Sequence, residues 1–389
     1  MSGDYDLLIV GGGPAGLSAA RSYREAGGGG AVAIVADERR VPYNRPPLTK
    51  ELLRNEIEED ELPLEEEEWL SEQRIGLISG RAVALDPSDR QVTLSGGRGL
   101  AYDSCVLATG AEPTRLPVPG ADDPAVRVLR SLDDLRELKR RLEPGMNVIV
   151  IGSGFIGCEI AASLCMLGHP VTLISDETAP NERRLGTEAS AEIRRWLEDV
   201  GVLLSLGDEV QRIERHGTRL EVHTSEHHTA ANLVMMAAGV APRSELAAAA
   251  GLKLEGGAVP TDTAMRTAMP GLLAAGDVCF AENAAAGRRL RVEHWGDALG
   301  QGKVAGANAA GAERSWDDVP GFWSQIGTRT LKYAAWGDGY EQVSFQRRAR
   351  GAFTAWYAAE GRVVGVLTHK ADEDYEHGRE LIRKGAAWT

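Results

Sequence analysis

Gly-x-Gly-x-x-Gly occurs twice in this chain, as Gly11-Gly-Gly-Pro-Ala-Gly16 and as Gly152-Ser-Gly-Phe-Ile-Gly157, 141 residues apart. Each copy follows a short apolar run, Tyr5 to Val10 and Asn147 to Ile151, that reads as a buried strand. Each is followed by a segment suited to a helix, Leu17 to Ala26 and Cys158 to Leu167, closed by Gly27–Gly30 or by Gly168-His169-Pro170. A second apolar strand comes next, Ala31 to Val35 and Val171 to Ile174, with acids just beyond: Asp37 and Glu38 in the first copy, Asp176 and Glu177 in the second. A lone motif of this kind is weak; two complete strand–glycine–helix–strand–acid units point to two dinucleotide-binding βαβ folds. The spacing suits separate domains.

Each part has a physical task. Gly11 and Gly152 permit the strand-to-helix turn, and Gly13 and Gly154 let backbone approach a pyrophosphate. Gly16 and Gly157 allow close helix–strand packing, while Pro14, Ala15, Phe155 and Ile156 open the helices whose N-terminal N–H groups face the phosphates. The acids accept ribose hydroxyl hydrogens. Two sites imply two dinucleotides, most economically one held FAD and one exchangeable nicotinamide, with hydride passing between them.

Composition narrows the rest. The 389 residues suit two or three domains, and no apolar run approaches the ~20 residues of a membrane span. Met1 to Asp6 has neither the basic start nor the apolar stretch of a signal peptide, so a cytoplasmic protein is the expectation. The net charge of −14 argues against nucleic acid and anionic membrane as partners. Nine of those acids crowd into Glu56–Glu68, expected to be a solvated face. The four cysteines, Cys105, Cys158, Cys165 and Cys279, form no Cys-x-x-Cys pair. Cys158 and Cys165 would lie about 10 Å apart on one helix, too far for a disulfide. All four read as small buried residues. His169 reads as a surface turn residue.

Several further motifs, in order, resemble the ferredoxin-reductase branch of the pyridine nucleotide–disulfide oxidoreductase superfamily. That branch includes reductases of Rieske dioxygenase and haem monooxygenase systems, rubredoxin reductases and the apoptosis-inducing factor group. The resemblance runs from about Asp4 to about Gly311 and more weakly beyond. It is carried by Pro42-Tyr-Asn-Arg-Pro-Pro-Leu-Thr-Lys50, Leu107-Ala-Thr-Gly-Ala-Glu-Pro113, Gly239-Val-Ala-Pro242, Ala274-Ala-Gly-Asp-Val278 and Val292-Glu-His-Trp295 with Gln301-Gly302. The resemblance implies FAD contacts at Arg45, Lys50, Val83, Ala108, Thr109, Gly110, Arg115, Gly276 and Asp277, and it places the Trp295 ring near the isoalloxazine. It also implies a nicotinamide-side role for Glu159, paired with Lys50, and a turn at Gly239 ending the nicotinamide domain, where Arg243 stands in place of the usual asparagine. From the residues alone, Glu159 equally suits helix-dipole stabilisation, Trp295 suits an ordinary core aromatic, and His294 a packing or surface residue. Lys50 would place a positive charge by the flavin; two charges ~4 Å apart interact by about 4 kcal/mol at an effective dielectric near 20.

The implied fold is α/β, with two Rossmann-like domains and a small α+β C-terminal domain. The expected boundaries are 1–113 with 241–311 for FAD, 114–240 for NAD(P), and 312–389 for an interface domain. That last part has candidate strands at Thr330–Ala335, Gln342–Phe345, Phe353–Tyr357 and Val363–Thr368. Arg347, Arg348 and Arg350 there form a basic cluster, read as a solvated turn or, as a hypothesis, a dock for an acidic ferredoxin. Val41 to Lys50 contains no cysteine, so the thiolate needed for disulfide reduction is missing. The leading function is hydride transfer from NADH to FAD and then one-electron transfer to a ferredoxin or rubredoxin, by a monomer or homodimer without a metal site. Alternatives are an NADH oxidase or quinone reductase, or an NADH-sensing flavoprotein of the apoptosis-inducing type. Asp176 and Glu177 would repel a 2′-phosphate and favour NADH, while Arg183 and Arg184 leave NADPH open.

Overall fold

The structure is a computed structural model that describes residues 3–388. Met1, Ser2 and Thr389, which belong to the expected first and last domains and to the Met1–Asp6 stretch, lie outside the described residues.

The apolar run Tyr5–Val10 is the centre of a seven-stranded sheet. It pairs in parallel with Val32–Ala36 on one side (Leu7 opposite Val32) and with Gly99–Leu107 on the other (Leu7 opposite Ser104). Ile75–Ser79 extends the parallel part. Gln91–Leu94 and Ala82–Asp86 continue it as an antiparallel ribbon. Strands covered on both faces need continuous apolar sequence, and Leu8, Ile9, Ile34 and Val106 are wholly buried. Far along the chain, Leu272–Ala274 joins this sheet beside Gly99–Leu107.

Between those segments the chain leaves through Ala111–Pro113 and returns through Val240–Pro242, which pair antiparallel with each other. The intervening residues build a second, parallel sheet in the order Leu203–Leu206, Val171–Ser175, Val148–Ile151, Leu233–Met236, Val126–Arg127, and a three-stranded antiparallel sheet beside it. The C-terminal part is a five-stranded antiparallel sheet covered by the helix Asp372–Arg383. The four expected strands are there, and Gly321–Ile326 adds a fifth at the edge. That strand has Phe322, Trp323 and Ile326 as strand-favouring residues but opens on glycine after Pro320, and it pairs along its length with Arg329–Ala335.

Two helices fix the geometry of the first unit. Pro14–Glu25 begins with proline, whose preset φ suits a first helical residue. It packs against Trp295–Ala309 backbone to backbone: a Cβ on Gly302 would come within 2.2 Å of the Ala15 carbonyl oxygen, and one on Gly306 within 1.9 Å of that of Ala19. Among the described residues, no helix is long and apolar enough to cross a membrane.

Several expectations need correction. His169 is buried, its Nδ1 3.3 Å from the Met146 carbonyl oxygen, because Pro170 hands the turn directly into a buried strand. Cys165 is only half-buried, near the end of the helix Phe155–Met166, while the other three cysteines are buried. The acidic run, by contrast, is a solvated face as expected, with none of its acids buried; it reaches the helix start at Glu67, and some of its carboxylates pair with Arg21, Arg54 and Arg136. The basic cluster is exposed, as the solvated reading has it, with Arg347 paired to Glu192 and Arg348 to Asp374.

Candidate active site

The two fingerprints reproduce one backbone solution. Gly11 has φ +129°, and a Cβ there would meet the Ala108 carbonyl oxygen at 2.0 Å; Gly152 has φ +105° and Ala237 stands at 2.4 Å. A Cβ on Gly16 would meet the Gly11 oxygen at 2.0 Å, and one on Gly157 the Gly152 oxygen at 1.9 Å. The middle glycines differ: around Gly13 and Gly154 an added Cβ meets nothing within 4 Å. So the outer glycines are demanded by the protein's own packing, while the middle ones face open space.

Neither fingerprint helix has a side-chain N-cap bond or an acid in its first turn. The helix Leu132–Arg141 shows the contrast, with Ser131 in a capping box and Asp133 and Asp134 behind it. Uncapped N-termini leave N–H donors and the positive end of the dipole available to an anion. Open glycine, bare helix end and acid beyond the second strand together fit a dinucleotide at each unit.

Around the first fingerprint the sequence motifs converge. Gly276 (φ +84°) lies against the helix start, where its Cβ would stand 3.1 Å from that of Ala15, and its N–H donates to Gln301 Oε1 at 2.8 Å. The adjacent Asp277 accepts a hydrogen bond from Arg130 at 2.7 Å. The Arg130 carbonyl accepts from Arg45 at 2.9 Å, and Arg45 donates to Glu38 at 2.5 Å. Tyr43 also donates to Glu38, at 2.8 Å, and burial pushes its phenol up to about 12. Asp37 is exposed and has no side-chain partner among the described residues. Thr109 and Gly110 are tied to the return crossing, Thr109 donating to the Arg243 carbonyl and Gly110 accepting from the Arg243 N–H. Ala108 is buried beside them, and Gly239 (φ +100°) accepts from the Thr114 N–H. Val83 is exposed on the antiparallel ribbon. Arg115 stands apart from this group: it donates to the carbonyls of Ala121 and Val126.

The helix of the second fingerprint meets the Pro42–Lys50 segment at a buried ion pair. Lys50 Nζ lies 3.0 Å from Glu159 Oε2, the side chains 5% and 3% exposed. Thr49 donates to the same oxygen at 2.5 Å. The other oxygen, Oε1, accepts from Ser324 Oγ at 2.7 Å and the Gln325 N–H at 3.2 Å. The pairing of Lys50 with Glu159 that the resemblance implied is present, and the Glu159 carboxylate largely offsets the lysine charge. Phe155 meets Phe322 edge-on at 4.7 Å, and the other side of Phe322 faces His294 at 4.5 Å. Trp295 follows as the first, half-buried residue of its helix.

Beyond the second strand, Ser175 is buried, accepting from the Glu177 N–H and bonded to Ser153 Oγ at 2.7 Å. The exposed Asp176 carboxylate accepts from Arg183 at 2.7 Å, and Glu177 accepts from the Arg183 N–H. Arg130, Thr49 and Ser324 were missed by sequence reasoning. Thr49 lay inside a recognised segment with nothing to single it out, and Arg130 and Ser324 belong to no motif.

Comparison with known proteins bears on this geometry directly. The family model for pyridine nucleotide-disulphide oxidoreductases matches residues 5–302, which hold both fingerprints and every segment above except Ser324 and its strand. The chain belongs to this family. It is an NAD(P)H-dependent flavoprotein oxidoreductase. The ferredoxin–NAD(+) reductase component of the anthranilate 1,2-dioxygenase system of Burkholderia cepacia is 32% identical to it, over 99% of this chain and 96% of that protein. Putidaredoxin reductase of Pseudomonas putida is also 32% identical, over 98% and 92%. Among solved structures, a ferredoxin reductase of Rhodopseudomonas palustris superposes with a TM-score of 0.93 at 32% identity, covering 98% and 95% of the two chains. The flavoprotein's three buried thiols, Cys105, Cys158 and Cys279, are pushed well above their ordinary range by burial. None of them is the accessible thiolate that disulfide chemistry requires.

Proposed function

We propose that the first unit, residues 3–113 with 241–311, holds FAD tightly, that residues 114–240 bind NADH, and that residues 312–388 form the face for a ferredoxin- or rubredoxin-type acceptor. The observation that carries this reading is the Lys50–Glu159 pair, which joins the loop beside the first fingerprint to the helix of the second. Bound flavin supplies the conversion from two-electron hydride acceptance to one-electron release.

The chain's residues bind, orient and exclude water. The N–H groups around Gly13 to Gly16 and Gly154 to Gly157 receive the two pyrophosphates. Asp37 and Glu38 receive the adenosine ribose of FAD, and Val83 lies against its adenine side. Asp277 turns from Arg130 toward the ribityl hydroxyls, and Arg45, Ala108, Thr109 and Gly110 wall the flavin. Arg115 is assigned to the flavin side with them, its guanidinium also donating to the Ala121 and Val126 carbonyls. Trp295 closes one side of the ring system. Glu159 and Lys50 sit where the two cofactors meet, and being buried they exclude water from the transfer. Asp176 and Glu177 select NADH by repelling a 2′-phosphate, with Arg183 held against Asp176. The iron–sulfur acceptor is inferred from relatives named as reductases of ferredoxin, rubredoxin and putidaredoxin.

The test is an anaerobic titration of the yellow protein with NADH and, separately, NADPH. Bleaching of the flavin band by about one equivalent of NADH supports the reading. A flavin that neither nucleotide bleaches refutes it.

A further inference from the structure

Both oxygens of Glu159 are held, but from different places. Oε2 is taken by Lys50 and Thr49, beside the first fingerprint. Oε1 is taken by Ser324 and the Gln325 N–H of the C-terminal sheet, 165 residues further along the chain in the case of Ser324. The edge strand Gly321–Ile326 alternates, so Trp323 faces outward, 45% exposed, while Ser324 faces inward at 1%. Phe322, two residues before Ser324, braces Phe155 in the first turn of the helix that carries Glu159. One strand thus fixes both the carboxylate and the start of its helix.

A carboxylate swings more freely about its last bonds as each oxygen loses its short donors. Removing the Ser324 hydroxyl leaves Oε1 with a single, longer backbone donor at 3.2 Å. Charge-assisted hydrogen bonds are the stronger kind, and a catalytic group must be held within about half an ångström of its working position.

We infer that Ser324 is a positioning residue for flavin reduction. Through Oε1 it locks Glu159 against Lys50, so the C-terminal domain completes the nicotinamide site as well as offering a face to the acceptor. This rests on the reading of Glu159 as lying where the two cofactors meet.

The experiment is anaerobic stopped-flow reduction of the FAD-loaded protein by NADH, for wild type, Ser324→Ala, Glu159→Gln and the double variant. Ser324→Ala should lower the limiting rate about tenfold, the size of one hydrogen bond to a charged group. The NADH concentration for half-saturation should stay unchanged, as should reoxidation of the dithionite-reduced protein by ferricyanide. In the Glu159→Gln background, adding Ser324→Ala should have no further effect, because the group it positions is gone. A wild-type rate in Ser324→Ala, or the same slowing with and without the Glu159 carboxylate, overturns the inference. A general folding defect would slow both backgrounds alike and so also counts against it. If wild type itself is not bleached by either nucleotide, the proposed function falls first, and that result is distinct from both of the others.

Discussion

Severing the Lys50–Glu159 pair from either side should have unequal consequences, and the structure says which is worse. Both side chains are almost fully buried, so removing one partner strands a charge away from water. Breaking such a pair typically costs about 3–5 kcal/mol. Lys50→Met leaves the Glu159 carboxylate with three donors, Thr49, Ser324 and the Gln325 N–H, which places it near the lower end, about 3 kcal/mol. Glu159→Gln leaves the Lys50 ammonium with one other contact, Thr49 Oγ1 at 3.4 Å, and sets an amide N–H₂ against it, which places it near the upper end, about 5 kcal/mol. The double variant carries no stranded charge and should be more stable than Glu159→Gln alone. The assay is equilibrium urea unfolding followed by circular dichroism at one fixed FAD concentration, since ligand binding itself shifts stability. Equal losses in the two single variants, or strictly additive losses in the double, would refute this account of the site.

Gly16→Ala should abolish FAD retention, because its Cβ meets the Gly11 carbonyl oxygen at 2.0 Å; Gly157→Ala, with 1.9 Å to Gly152, should keep the protein yellow but make NADH bleaching slow, which absorbance and stopped flow would separate. Tyr43 should give a pH signature. Burial penalises its phenolate and raises its folded pKa to about 12 from 10.0, so this group leaves stability unchanged below pH 10 and lowers it by about 3 kcal/mol as pH rises from 10 through 12. The difference in unfolding free energy between wild type and Tyr43→Phe should therefore change over that window and be flat below it. Asp176→Ala should raise kcat/KM with NADPH relative to NADH by about tenfold or more, since it removes a repelling charge and frees Arg183; an unchanged ratio would move the selecting role elsewhere. Charge reversal at Arg347 and Arg348 should leave the salt dependence of acceptor turnover unchanged, because both are already paired within the chain.

The sequence alone determined the two fingerprints, and the reason is local. A strand, a tight turn and a helix within about thirty residues need glycine at fixed offsets: Gly16 and Gly157 report collisions with Gly11 and Gly152 inside their own units, and Gly11 and Gly152 take the positive φ of the turn, although the carbonyls that crowd them, Ala108 and Ala237, come from later in the chain. The acids at the end of each second strand were legible for the same reason, as was the lack of cysteine beside Lys50. Four of the five C-terminal strands were also legible in the sequence. What the tertiary structure decided is which charges meet. Glu159 could have been a helix-dipole residue until the fold set it against Lys50 from one side and Ser324 from the other, and Asp277 and Arg130 stand 147 residues apart in the chain but 2.7 Å apart in space. It also disarmed Arg347 and Arg348 by pairing them, and drew His169 under its own turn. Steric demands on the backbone are written in neighbouring residues, whereas the partner of a buried charge is chosen by whatever the packed sheets bring within reach.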